Sequence, residues 1–114
     1  MTATTNSQRD YRIAIRLVAH FDFGRMEGSG VLANISYSGA LIEAANMEPE
    51  VGTLVTLYVY LEPPSAFGAA TPFKLAGYVV RHSSSGFAIE YKDRLDPDVR
   101  RMVDDAAAVV AVPR

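Results

Sequence analysis

Apolar and polar residues alternate from Ile13 onward. Ile13, Ile15, Leu17, Ala19 and Phe21 fall on one side, and Ala14, Arg16, Val18, His20 and Asp22 on the other. A period of two sustained this long predicts a half-buried strand. Gly24 opens a turn, and Gly28-Ser29-Gly30 reads as a second break. Short strands follow at residues 31–35 and 40–44, with Ser36-Tyr37-Ser38-Gly39 as a tight turn between them. Val55, Leu57, Val59 and Leu61 mark the clearest strand, over residues 53–61, which is rich in β-branched and aromatic residues. Pro63, Pro64, Gly68 and Pro72 make residues 63–72 a surface loop. Residues 73–81 and 86–91 are two more strands, joined by Ser83-Ser84-Ser85.

The period changes at Asp96. Asp96-Pro97-Asp98 has the form of a helix start: a capping side chain, a proline at the first helical position and an acid facing the helix dipole. Val99, Met102, Val103, Ala106 and Val110 then share one helical stripe, with Arg100, Arg101, Asp104 and Asp105 toward solvent. The sum is an all-β fold: a six-stranded antiparallel barrel with a C-terminal α-helix that caps it or covers an edge. Residues 1–7 are read as a flexible lead-in and residues 8–114 as one domain.

Composition narrows the chemistry. At 114 residues, 49% hydrophobic and 21% charged, the chain has the balance of a globular domain with one core. It has no cysteine, which excludes disulfides, thiolate metal sites and cysteine nucleophiles. No apolar run approaches the ~20 residues of a membrane span, and none begins the chain, so a cytoplasmic domain without a span is expected. A net charge of -2 lacks the basic surplus of a DNA or RNA binder. His20 and His82 are isolated and read as structural. There is no HxxH pair, no G-x-S-x-G elbow, no Walker A loop and no GxGxxG after a strand, so no metal, cofactor or catalytic residue is expected, and no enzyme.

Two short clusters carry more. One is Gln8-Arg9-Asp10-Tyr11-Arg12, before the first strand, and the other is Asn34-Ile35-Ser36-Tyr37-Ser38-Gly39, between the second and third. The second reads locally as a turn whose Asn and Ser bond nearby backbone and whose Gly supplies a positive φ. Together with Gly77-Tyr78-Val79-Val80-Arg81 and Gly86-Phe87-Ala88-Ile89-Glu90-Tyr91, they resemble the bacterial PilZ domain, from Gln8 into the helix. The family's signatures are R-x-x-x-R before the first strand and [D/N]-x-S-x-x-G after the second, and Asn34, Ser36 and Gly39 match the latter.

The resemblance implies a barrel that binds cyclic di-GMP and relays it to an as yet unidentified effector protein. It implies a ligand site drawn from Gln8, Arg9, Arg12, Arg16, Asn34, Ser36 and Gly39. Two registers of the first signature are open. One sets Arg12 directly before the strand and Gln8 where the first arginine belongs, with Arg9 beside it as a substitute. The other pairs Arg12 with Arg16, inside the strand. The first keeps the cations on the arm that folds over a ligand, and is preferred. Glutamine at position 8 keeps hydrogen bonding and loses charge, so the expectation is weakened binding, with a ligand-blind adaptor as the alternative.

Overall fold

The computed structural model describes residues 12–60, 72–93 and 95–111. Its strands are β1 (Ile13–Phe23), β2 (Met26–Ile35), β3 (Gly39–Glu43), β4 (Leu54–Val59), β5 (Phe73–His82) and β6 (Phe87–Tyr91), followed by helix α1 (Pro97–Ala111). The strands close into an antiparallel barrel in the order β1-β2-β3-β6-β5-β4. Closure leaves no free sheet edge.

The alternation seen in sequence sets the inside of the barrel. Ile13, Ala19 and Phe21 of β1 are buried, while Ala14, Arg16, Val18 and His20 are exposed. Phe21 meets Phe87 edge-on, with ring centroids 5.1 Å apart, and Leu32, Ile42, Leu57 and Leu75 fill the space around them with no exposure. Each such side chain stabilises by roughly 1.5–3 kcal/mol through burial.

Two expectations change. Gly28-Ser29-Gly30 does not break the chain, because β2 runs through it. A Cβ on Gly28 would come 2.6 Å from Cζ of Phe21, and one on Gly30 would come 2.8 Å from Cγ2 of Ile42. Those glycines make room for core side chains within a strand. The turn expected at Gly24 is present, at Gly24-Arg25, where Gly24 has φ 61° and Phe23 pairs with Met26. Arg100 and Arg101 are exposed but not simply solvated. Their guanidiniums lie 5.0 Å and 5.1 Å from the ring centroids of Tyr37 and Phe73.

Helix α1 starts as the sequence suggests. The Asp98 N–H donates to Oδ1 of Asp96 over 2.8 Å, and Pro97 stands at a position where no N–H is needed. Val99, Met102, Val103 and Ala106 are buried in the same core as the strands, while the side chain of Val110 lies outside those described. The helix packs on β1 and β5 and closes the barrel end where those strands begin. Among the described residues no helix is long and apolar enough to cross a membrane.

Candidate functional site

An open groove of about 300 Å³ lies on the outer surface of β2, β3, β6 and β5. Strand pairing sets its floor. Asn34 pairs with Leu41, Leu41 with Ala88, and Ala88 with Arg81, so one row runs across the four strands. A second row runs from Gly39 through Glu90 to Tyr78. Leu41 stands between Asn34 and Ala88 in the first row, and Gly39 and Ala88 contribute little or no side chain.

Irregularities in the ladder place the polar residues. The register of β2 with β3 shifts between Leu32 and Asn34, and that of β5 with β6 shifts between Val79 and Arg81. A bulge re-aims the side chains beside it. Asn34 and Arg81 thus stand at the two walls. Arg12 immediately precedes Ile13, which pairs with Ile35, so it enters the groove across from Ser36.

Ser36 is buried and organises the turn. Its Oγ accepts the N–H groups of Ser38 and Gly39, each over 3.2 Å, and lies 3.1 Å from Oγ of Ser38. The Ser36 N–H closes the turn on the Gly39 carbonyl at 2.9 Å. The Asn34 amide stands apart from this network, contrary to the expectation that both side chains bond local backbone. Gly39 also differs from expectation, since among the described glycines φ is positive at Gly24 and Gly52. Its need is steric: a Cβ there would fall 2.2 Å from the Ile89 carbonyl oxygen of β6.

The structure therefore brings Arg12, Asn34, Ser36 and Gly39 into one groove. Arg16 is exposed on the outer face of β1 and does not line it. Gln8 and Arg9 lie outside the described residues. Sequence reading passed over Arg81 and Glu90, which also line the groove. Glu90 had a signal, as the single charge in the otherwise apolar strand Phe87–Tyr91. Arg81 had none, because its aim depends on a bulge against a neighbouring strand.

Tyr37 leaves the opposite side of the same turn. Its hydroxyl donates to Oδ1 of Asp104 at 2.5 Å, and its ring lies under Arg100. Donation to the Asp104 carboxylate, assisted by partial burial, raises the Tyr37 phenol above its ordinary pKa. The turn thus joins the groove to α1. His82 is used structurally, its Nε2–H donating to the Pro49 carbonyl over 2.8 Å.

Comparison with solved structures finds the same fold. The PilZ domain of CeSA from a cellulose-synthesizing bacterium superposes with a TM-score of 0.66 at 19% identity, over 85% of this chain and 98% of that one. The Bacillus subtilis inhibitor of motility MotI/DgrA gives 0.65 at 16% identity, over 89% of this chain. The match takes in 49% of that protein, so the present chain spans about half its length. At such identities the likeness is one of fold. No curated protein matches by sequence. The family model described as the PilZ domain matches residues 5–107, from the N-terminal arm into α1, and the chain belongs to the PilZ domain family.

Proposed function

We propose that the domain is a bacterial cyclic di-GMP receptor, working in the cytoplasm, that passes the level of this second messenger to a partner protein. One observation carries the reading: Arg12, Asn34, Ser36 and Gly39, from the two family signatures, line a single groove. Cyclic di-GMP presents two phosphate charges and two guanine edges. Arg12 supplies a planar fork that suits a phosphate or the O6/N7 edge of guanine, and that stacks on a base. The Asn34 amide offers a donor and an acceptor from a strand. Ser36 contributes by holding Ser38 and Gly39 in place at the groove's rim. PilZ domains are receptor or adaptor domains rather than enzymes.

A ligand-blind adaptor is the second reading, and Gln8 favours it, standing where the family carries its first arginine. One charge-assisted hydrogen bond contributes roughly 1.5–3 kcal/mol, or one to two decades of affinity. Titration calorimetry with cyclic di-GMP separates the two. Arg12→Ala is expected to weaken binding at least tenfold with an unchanged circular dichroism spectrum, and Gln8→Arg to tighten it. No heat from wild type and none from Gln8→Arg would leave the adaptor reading standing.

A further inference from the structure

The signature residues gather at the β2 side of the groove, and Arg81 and Glu90 at its β5–β6 side. From Asn34 to Arg81 the floor crosses three strand spacings, about 14 Å, which is room for more than one base. Both charged residues are exposed, and neither forms an ion pair or side-chain hydrogen bond with another described residue. They come from neighbouring strands, Arg81 pairing with Ala88 two positions before Glu90. One offers a fork of donors and the other a pair of acceptors, across a floor kept low by Ala88.

We propose that Arg81 and Glu90 form a guanine-reading subsite that makes this groove select guanine over adenine. The inference rests on the cyclic di-GMP reading above and names its base specificity. Guanine presents O6 and N7 as acceptors and N1–H with N2–H₂ as donors. Arg81 matches the first edge and the Glu90 carboxylate the second. Adenine turns an N6–H₂ donor toward the arginine and has no N1–H for the carboxylate, so both contacts fail together.

The sign of one substitution separates base reading from simple electrostatics. A carboxylate in a site for a dianion repels it, so removing that charge should tighten binding if Glu90 touches no base. Base reading demands the reverse. Calorimetry on the full chain, with cyclic di-GMP and cyclic di-AMP as probes, tests this on wild type, Glu90→Gln and Arg81→Ala. Wild type is expected to prefer cyclic di-GMP at least a hundredfold. Glu90→Gln should weaken cyclic di-GMP at least tenfold and leave cyclic di-AMP within twofold, narrowing the preference. Arg81→Ala should weaken cyclic di-GMP at least tenfold. Both positions are exposed, and thermal melting checks that the fold is kept. If wild type binds cyclic di-GMP while Glu90→Gln binds it equally or more tightly, this subsite is overturned and the receptor reading survives. If neither wild type nor Gln8→Arg binds either dinucleotide, both fall.

Discussion

The same four strands carry opposite requirements on their two faces. Inward, β2, β3, β5 and β6 present Leu32, Ile42, Leu75 and Phe87, all without exposure. Outward, they present Asn34, Gly39, Arg81, Ala88 and Glu90 around an open groove. The inner face needs volume, and a lost methylene there is felt as lost stability. The outer face needs small residues at Gly39 and Ala88 and charged or amide groups at its walls. A change there is expected to alter affinity while leaving the barrel standing. The contrast can be tested by substitutions on each face, and at the residue that belongs to both.

Phe87→Ala is the strongest test of the inner face. Removing a ring that packs edge-on against Phe21 leaves a void in a closed barrel whose walls cannot collapse freely. The expected cost is about 3–5 kcal/mol, a large part of the about 5–15 kcal/mol that holds a typical domain folded. Chemical denaturation should show the midpoint moving sharply downward. A loss under about 1 kcal/mol would mean the interior is looser than its burial implies.

Gly39 sits on the boundary between the two requirements. Its missing Cβ lets β3 approach the Ile89 carbonyl of β6, and the residue also lines the groove. Gly39→Ala must push two paired strands apart, so we expect it to cost about 1–3 kcal/mol and to weaken ligand binding as well. Denaturation and calorimetry on one sample decide the matter. Full stability with weakened binding would assign the glycine to the ligand alone.

These two faces were not equally legible in the sequence. Period-two alternation exposes the inner face directly, because Val55, Leu57 and Val59 announce their side without knowledge of any partner strand. The helix start is equally local, since Asp96 caps an N–H two residues away. The groove is not local. Asn34, Ser36 and Gly39 were visible through the resemblance to the family signature, but Arg81 reaches the groove through pairing with β6 and a register shift. Glycine misled in both directions. Gly28 and Gly30 look like a break until Phe21 and Ile42 are seen to need their space, and Gly39 looks like a turn glycine until β6 arrives beside it. The contact from Tyr37 to Asp104 spans 67 positions, beyond any local pattern.

That contact gives a smaller, pH-dependent test of how the groove's turn is tied to the helix. The Tyr37 phenol is raised above its ordinary value of 10.0, chiefly by donating to Asp104. A group whose pKa is raised by folding contributes stability that is fully present below its unfolded pKa. That stability is lost as pH rises through the folded value. The latch should therefore hold at neutral pH and release above about pH 10. Tyr37→Phe should cost at most about 1 kcal/mol at pH 7, as the residue is partly exposed. It should also flatten part of the alkaline fall in melting temperature. An unchanged alkaline profile would show that the bond to Asp104 contributes nothing to the fold.

Tyr91 offers the smallest effect, and one of opposite sign at neutral pH. It ends β6 at 4% exposure, and its hydroxyl has no hydrogen-bond partner among the described residues. Burial alone drives its phenol well above the ordinary range. A buried hydroxyl without a partner opposes folding, so Tyr91→Phe keeps the ring's packing and removes the penalty. The expected gain at pH 7 is up to about 1 kcal/mol, or a rise of a few degrees in melting temperature. Above pH 10 the gain should widen, because the phenol ionises in the unfolded chain while burial keeps it neutral in the fold, which favours unfolding, and phenylalanine cannot ionise. Melting curves of both proteins at pH 7 and pH 10.5 read the two effects together. A destabilised Tyr91→Phe at pH 7 would mean that the hydroxyl is satisfied in solution, and that the inner face of β6 tolerates a polar atom after all.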